Sequence, residues 1–339
     1  MDDTLKHQPL GTTGLSVCEL GFGAAPLGNL YEALPEPQVE ATLERAWAGG
    51  IRYYDTAPLY GYGLSELRVG RLLRGLPREE FTLSTKVGRY FVAPGEGPVD
   101  YGQWTAPLNF RPVYDYSYDG TMRALEQSRL RLGIPRIDIA LIHDVDRRNH
   151  GDDYDRRFGE AIEGAHRALA ELRRSGDVRA IGVGVNEADV CARFAREGDF
   201  DCMIMAGCYS LLRQDGLDEF LPLAEQKGVR VILAGVFNSG ILAEGPKEGA
   251  HYNYLAAPRE VIERVRRLDV LCSAQGVPLA AAALRFAAAH PAVASVLVGM
   301  VRPEEVEQNL KLLRTPIGSH LWQALKEEGL LREDAPVPV

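Results

Sequence analysis

Four side chains in this sequence have the types and spacing to move a proton on a small molecule: Asp55, Tyr60, Lys86 and His143. Asp55, Lys86 and His143 each lie at or near the end of a short apolar run, and Tyr60 follows Asp55 by five residues in DTAPLYGYGLSE. A lysine at the edge of a buried strand is costly unless a carboxylate pairs with it. We therefore expect Asp55 to anchor Lys86.

The chemistry expected from this set is proton transfer at a hydroxyl or carbonyl group. A tyrosine with an ordinary pKa near ~10 is a poor base at neutral pH, but the Lys86 cation would stabilise the phenolate of Tyr60 and lower its pKa. A neutral His143 would hold the reacting oxygen beside it. Taken one at a time, Asp55, Tyr60 and His143 also fit purely structural roles, as a turn former, a packed loop aromatic and a satisfied core histidine.

Short apolar runs rich in β-forming residues predict the strands that carry these side chains. They span residues 18–23, 52–57, 82–87, 138–143, 180–185, 203–207, 230–235 and 295–300. Helical patterns lie between them, several ending in glycine, at residues 38–50, 65–76, 119–133, 160–176 and 218–228. Strand and helix therefore alternate along the chain.

Eight βα units with strands apolar on both faces predict an α/β fold, a closed (β/α)₈ TIM barrel, with residues 1–339 as a single domain. A doubly wound sheet is the alternative, and it would usually bind a nucleotide on G-x-G-x-x-G after its first strand. The glycine pairs at residues 21–23, 61–63 and 182–184 all lack the third glycine. In a barrel, the carboxyl ends of neighbouring strands would bring the four side chains together.

Two βα connections, about residues 88–118 and 236–257, are too long for simple loops and would project from the carboxyl face of the barrel. The first holds eight of the 27 aromatic residues of the chain. It is either a loop that packs on itself or a cap over a ring-shaped substrate. On the second interpretation, Tyr90, Trp104 and Tyr114 are the candidate substrate-binding residues.

Composition argues against several classes of function. Lysine and arginine number 38 and aspartate and glutamate 47, so the net charge of −9 opposes binding to nucleic acid or to an anionic membrane. Five cysteines with no C-x-x-C pair predict buried thiols in a reducing compartment rather than disulfides or a zinc site. The sequence shows no signal peptide and no stretch of the ~20 apolar residues that a membrane span needs, so we expect a cytoplasmic protein.

A metal-dependent barrel hydrolase is an alternative, because histidines and carboxylates cluster after the fourth strand. The same stretch, HDVDRRNHGDDYD, is equally typical of a solvated acidic turn, and no H-E-x-x-H or calcium-loop spacing is present. We therefore expect no metal site. The residues in question are His143, Asp144, Asp146, His150, Asp152 and Asp153.

The chain resembles the aldo-keto reductases over almost its whole length, most closely their bacterial sugar and pyridoxal dehydrogenase branch. The resemblance rests on PLGTTGLSVCELGFGAAPLGNL, YDTAPLYGYGLSE, LSTKVGR, RLGIPRIDIALIHD, IGVGVN, FNSGIL and VRPEEVEQNL. It implies a TIM barrel with an N-terminal β-hairpin and long βα loops. It also implies that Asp55, Tyr60, Lys86 and His143 form the catalytic tetrad of the family.

The same resemblance implies a nicotinamide cofactor and the residues that hold it. Asn186 matches the ligand of the carboxamide, and Tyr209 the aromatic residue that stacks on the nicotinamide ring. The loop around the pyrophosphate would be Val236, Phe237, Asn238, Ser239 and Gly240. The segment from Gly299 to Asn309, with Arg302 and Gln308, would hold the adenosine end.

The activity that this resemblance implies is oxidation of a free aldose of the L-fucose or D-arabinose type at its anomeric carbon to a lactone. Pyridoxal 4-dehydrogenase and a general aldehyde or ketone reductase are alternatives, and a redox-sensing binding module is a further one. The aromatic segment has only Arg89 and Arg111 as basic residues, which disfavours a phosphorylated sugar. The sequence does not predict an oligomeric state.

NAD rather than NADP is the expected cofactor. NADP-using relatives carry lysine or arginine in the first residues of the adenosine segment and beyond its proline, whereas this chain has Met300, Val301 and Glu305 there. A carboxylate near the 2′-phosphate is repulsive. Arg302 is the counterargument, because it could pair with that phosphate or instead with a glutamate of the following helix.

Overall fold

Residues 4–338 are described in a computed structural model of the chain. Eight parallel strands close into a barrel in chain order, which confirms the predicted fold class. The barrel strands are β3 Leu20–Gly23, β4 Tyr53–Asp55, β5 Thr82–Val87, β8 Ile139–His143, β9 Ala180–Val185, β10 Cys202–Ala206, β11 Arg230–Ala234 and β14 Val293–Gly299. Every one of them overlaps a strand predicted from the sequence. The strands are buried almost throughout, as expected for a sheet covered on both faces.

Helices on the outside of the barrel cover the strands. They are α1 Glu36–Ala48, α2 Leu64–Leu73, α3 Tyr118–Leu132, α4 Arg147–His150, α5 Tyr154–Glu160, α6 Arg167–Ser175, α7 Ala188–Glu197, α8 Phe220–Lys227, α9 Ile241–Glu244, α10 Arg259–Ala274, α11 Leu279–Ala287, α12 Pro303–Leu313 and α13 Ser319–Glu327. A π-helical turn, Ala161–His166, joins α5 to α6, so the pattern predicted at residues 160–176 is part of a longer helix.

Three two-stranded ribbons complete the fold. The antiparallel pair β1 His7–Pro9 and β2 Ser16–Cys18 is the expected N-terminal hairpin. Its turn lies at the amino end of the barrel, where Thr82 at the start of β5 donates a hydrogen bond to the carbonyl of Ser16 over 3.1 Å. The long βα connections contain the other two ribbons, β6 Arg89–Val92 with β7 Arg111–Tyr114, and β12 His251–Tyr252 with β13 Leu255–Ala256.

All five cysteines are buried free thiols. Within residues 4–338, no single helix is long and apolar enough to cross a membrane, although the bent pair α10 and α11 meets that test jointly by length and composition. The same residues contain no group of three or more histidine, cysteine or carboxylate side chains placed to hold a metal ion.

Candidate active site

Three neighbouring strands bring the four predicted side chains together at the carboxyl end of the barrel. Strand β5 lies between β4 and β8, so Asp55, Lys86 and His143 lie side by side at this end. The Lys86 Nζ atom donates to Asp55 Oδ2 over 2.7 Å, to the carbonyl of Thr56 over 2.9 Å and to the Tyr60 hydroxyl over 3.1 Å. The predicted anchoring of Lys86 by Asp55 is therefore confirmed.

Tyr60 is positioned by a close approach of two backbone segments. Gly61 has a φ of 64°, and a Cβ atom there would lie 2.4 Å from the carbonyl oxygen of Gly28. A Cβ atom on Gly28 would in turn lie 2.5 Å from the backbone of Tyr60 and Gly61. Only glycine fits at both positions without moving the chain, and this contact holds the tyrosine next to Lys86.

The electrostatics of Tyr60 differ from the expectation. Burial, followed by the nearby carboxylates of Asp55 and Asp144, raises the pKa of Tyr60 well above its ordinary value. The predicted net lowering of this pKa is therefore not found, because the loss of solvent around the phenol is the largest cause and raises it. The phenol of Tyr60 therefore stays protonated at neutral pH.

His143 faces Tyr60 edge to face, with ring centroids 5.9 Å apart. Burial and the Lys86 and Arg89 cations lower its pKa well below the ordinary value. This agrees with the expected neutral imidazole. Its Nε2 atom lies 3.4 Å from Asp144 Oδ1, and its Nδ1 atom has no hydrogen-bond partner among the residues described.

Aromatic side chains from both long connections surround the carboxyl end of the barrel, which we call the mouth. The ring of Trp104 lies 5.9 Å from that of Tyr60. Tyr114 lies further out, against the Arg89 guanidinium and the ring of His150. Trp104 thus lies next to Tyr60, whereas the contacts of Tyr114 are with Arg89 and His150; the role of both in binding substrate stays a prediction.

Tyr90 is not brought to this site. Arg89 points toward Asp144 at the mouth, so Tyr90, as the next residue of β6, points to the opposite face of the ribbon. There it packs under the guanidinium of Arg123 on α3. The candidate role of Tyr90 in binding substrate is therefore corrected.

The structure shows a second aromatic contribution, from Tyr254, that the sequence patterns did not indicate. Gln103 of the first long connection donates from Nε2 to the carbonyl of Tyr254 in the second over 3.2 Å. Tyr254 lies close enough to Tyr60 to contribute to its raised pKa. The signal in the sequence is the tyrosine-rich HYNY stretch within the second long connection.

The predicted cofactor residues follow other strands of the same barrel, so they lie at the same mouth. Asn186 follows β9 directly, and its carbonyl accepts from Cys208 Sγ over 3.1 Å. The loop 236–240 follows β11, and Gly299 ends β14. Within α12, Asn309 Nδ2 donates to the carbonyl of Glu305 over 2.8 Å, while Gln308 is exposed.

Tyr209 packs against the protein core. Its ring stacks on Phe286 of α11 at 4.9 Å and contacts His290 edge to face, and only 1% of the residue is exposed. One face of the ring is thus occupied by the protein core. The structure gives no support to the predicted stacking of this ring on a cofactor.

The loop after β11 has features that fit the phosphates of a dinucleotide. Asn238, Ser239 and Gly240 all have positive φ values, and the N–H groups of Asn238 and Gly240 donate to carbonyls within this tight turn. The Asn238 side chain is 3% exposed, and its Nδ2 donor has no partner among residues 4–338. A buried unpaired donor is costly, and a phosphate or amide oxygen would satisfy it.

Of the residues of the metal alternative, Asp146 and His150 have structural roles in the loop after β8. Asp146 caps α4 by accepting from the backbone of Asn149, and His150 Nε2 lies 2.9 Å from the Tyr116 hydroxyl. The Tyr116 hydroxyl in turn donates to the carbonyl of His143 over 2.9 Å. These contacts support the end of β8 rather than converge on a common point.

This chain is similar to known proteins both in sequence and in fold. The aldo/keto reductase family profile matches residues 19–328. A pyridoxal 4-dehydrogenase from Microbacterium luteolum is 45% identical over 96% of this chain and 98% of its own length. A D-threo-aldose 1-dehydrogenase from a Pseudomonas species is 39% identical over 94% and 96%. An aldo-keto reductase structure from Bacillus halodurans has a TM-score of 0.77 at 26% identity, covering 98% of both chains.

Proposed function

The chain belongs to the aldo/keto reductase family, and we propose that it is an NAD-dependent dehydrogenase that oxidises a cyclic hemiacetal to a lactone. The observation that carries this proposal is the Tyr60 hydroxyl, bonded to a lysine that Asp55 anchors, under the ring of Trp104 and facing a neutral imidazole. This arrangement can hold one oxygen of a ring-shaped substrate and exchange its proton.

Each residue of the tetrad has a physical task in this reaction. His143 donates a hydrogen bond to the hemiacetal oxygen, and Tyr60 takes the hydroxyl proton of the substrate during oxidation or returns it during reduction. Lys86 stabilises the phenolate that forms, and Asp55 keeps the lysine in place. The nicotinamide, when bound, supplies the hydride acceptor.

Pyridoxal and free aldoses both fit this class, because each closes on itself to form a cyclic hemiacetal. On the sequence alone, the aldose ranks first. The relative of higher identity is named for pyridoxal, and the aromatic rings at the mouth suit a flat pyridine ring. We therefore rank pyridoxal first and a free aldose second, the latter supported by the relative named for D-threo-aldoses.

The preference for NAD rests on Glu305. Its Oε2 atom accepts hydrogen bonds from the backbone of Val301 over 2.7 Å and of Arg302 over 3.3 Å at the start of α12. A carboxylate therefore occupies the anion-binding position at this helix N-terminus. Arg302, the counterargument, lies with Nη1 3.6 Å from the same carboxylate. These contacts would repel the 2′-phosphate of NADP and favour NAD.

The test is a spectrophotometric screen of the purified protein with NAD and with NADP, against pyridoxal, a panel of free aldoses and the matching sugar phosphates. We expect reduction of NAD with pyridoxal or with a free aldose. Turnover with sugar phosphates alone, or with neither pyridoxal nor any free aldose, would contradict the proposal.

A further inference from the structure

A buried ion pair, Arg89 with Asp144, lies directly beside the catalytic histidine. Arg89 is 1% exposed and Asp144 6%. Arg89 Nη2 donates to Asp144 Oδ2 over 3.0 Å, and the other carboxylate oxygen lies 3.4 Å from His143 Nε2. Removing both charges from water is expensive, and an apolar pair would fill the same space at lower cost. Stability alone therefore does not account for the pair.

The backbone at Asp144 is strained in a way that positions its carboxylate. Strand β8 ends at His143, and an extended continuation would point the next side chain to the opposite face. Asp144 instead has a φ of 56°, which is uncommon for a residue other than glycine. Its N–H still bonds the carbonyl of Gly184 over 3.0 Å. Strain of this kind concentrates at functional sites, and here it places a carboxylate next to the imidazole.

The Arg89–Asp144 pair also contains hydrogen-bond donors that do not bond within the pair. The Nε and Nη1 atoms of Arg89 have no partner among residues 4–338. The two charges cancel, so this surface suits a neutral polar group rather than a phosphate or carboxylate. A hydroxyl fits Asp144 best, because it can donate to the carboxylate and adds no charge.

We propose that Asp144 determines specificity by accepting a hydrogen bond from a substrate hydroxyl two carbons away from the reacting carbon, while Arg89 holds its carboxylate. The separation of 3.4 Å lets an oxygen on His143 Nε2 and a second oxygen on Asp144 belong to one small molecule. The C3 hydroxyl of an aldose and the phenolic hydroxyl of pyridoxal both stand in this relation to the reacting carbon. The inference rests on the proposed reaction at Tyr60 and His143.

The test compares two aldehydes that differ only in this hydroxyl. Glyceraldehyde carries it and lactaldehyde does not, and both are followed by kcat/KM for reduction. We expect the wild type to prefer glyceraldehyde by about tenfold or more. Asp144→Asn keeps the shape but loses the charge, so it should lower kcat/KM about tenfold for glyceraldehyde and less than about twofold for lactaldehyde.

Two further variants separate this role from a loss of stability. Arg89→Met combined with Asp144→Leu replaces the buried pair by apolar side chains and should abolish the preference. Asp138→Asn, which breaks a buried ion pair at the amino end of the same strand, should leave the preference unchanged.

Three results would overturn the inference: no preference in the wild type, an equal loss for both aldehydes in Asp144→Asn, or an equal change of preference in Asp138→Asn. Failure of the proposed function is a separate observation, since it is the absence of wild-type oxidation of pyridoxal and of every aldose.

Discussion

At the amino end of the barrel, Asp138 accepts hydrogen bonds from the backbone of Leu83 over 2.8 Å and from Arg78 over 2.5 Å. Asp201 likewise accepts from the backbone of Ile181 over 2.8 Å and from Arg173 over 3.0 Å. Each carboxylate lies just before one strand and accepts a hydrogen bond from the backbone at the start of the neighbouring strand. At the carboxyl end, the buried charges bond mainly to one another.

This difference separates the two tasks of the barrel. Carboxylates at the amino end use their lone pairs on backbone N–H groups, so they hold strands in register. At the mouth, His143 Nδ1, Asn238 Nδ2 and two nitrogen atoms of Arg89 have no partner among the residues described, whereas at the amino end Arg78 leaves only its Nε atom unpaired. Such groups cost stability, and a site can recover that cost when a ligand binds. The comparison predicts that changes at the mouth affect turnover and that changes at the amino end affect stability.

The largest expected effect is at Tyr60. Tyr60→Phe removes the proton-transfer group and one hydrogen bond to Lys86, so kcat should fall ~10²–10⁴-fold while the melting temperature changes little. Tyr154→Phe, which removes a buried phenol on α5 outside the barrel, is the matched control and should keep wild-type turnover. Wild-type activity in Tyr60→Phe would refute the assigned role.

The pH dependence should differ between the two directions of the reaction. Oxidation needs the phenolate, and the raised pKa of Tyr60 keeps this form scarce, so the oxidation rate should rise about tenfold per pH unit up to at least about pH 9. Reduction needs the phenol and should stay flat over the same range. The lowered pKa of His143 predicts no inflection near about pH 6.5. A plateau of the oxidation rate near neutral pH would contradict the description of Tyr60.

Cofactor choice should respond to one carboxylate at the mouth. Glu305→Gln can still cap α12 but loses its charge, so the ratio of kcat/KM for NAD to that for NADP should fall about tenfold. Glu307→Gln, two residues on and paired with Arg45, is the control and should change the ratio less than about twofold. Equal effects of the two substitutions would show that Glu305 does not determine the preference.

The smallest effect on turnover is expected at the amino end. Asp138→Asn breaks the pair with Arg78 and weakens the bond to Leu83, so we expect a loss of about 2 kcal/mol in the free energy of unfolding. Thermal unfolding should show this as a melting temperature lower by a few degrees. Turnover of the folded protein should match the wild type. A large loss of kcat without a loss of stability would contradict the conclusion that changes at the amino end affect stability rather than turnover.

The fold is largely predictable from the sequence because its signal is local. Each barrel strand is a short apolar run, and β8 ends at His143 where its predicted run ends, while β4 ends at Asp55, two residues before the end of its predicted run. To predict that the strand ends lie together, one needs only the rule that neighbouring parallel strands end on the same side of the barrel. The helices are less completely predicted, since none of the five predicted ranges covers α7, α10, α11, α12, α13 or the short helices α4 and α9.

The position of a site residue can be predicted only where the residue lies at the end of a predicted strand. The expectation for Tyr90 is wrong because the register of the β6–β7 ribbon decides which face it occupies, and loop sequences do not state that register. The placement of Asp144 depends on a left-handed backbone at a residue other than glycine, which tertiary contacts impose. Tyr254 reaches the mouth through a contact with Gln103, 151 residues away in the chain.

The contact between Trp104 and Tyr60 allows ligand binding at the mouth to be followed by tryptophan fluorescence. The chain has three tryptophans, and the other two lie elsewhere, Trp47 under the Arg52 guanidinium and Trp322 in the core near Phe286. Of the three, Trp104 is the one against the reacting tyrosine. Its indole emission should therefore change when a substrate or inhibitor enters, so a stopped-flow fluorescence trace can report binding and release separately from the absorbance of the reduced nicotinamide.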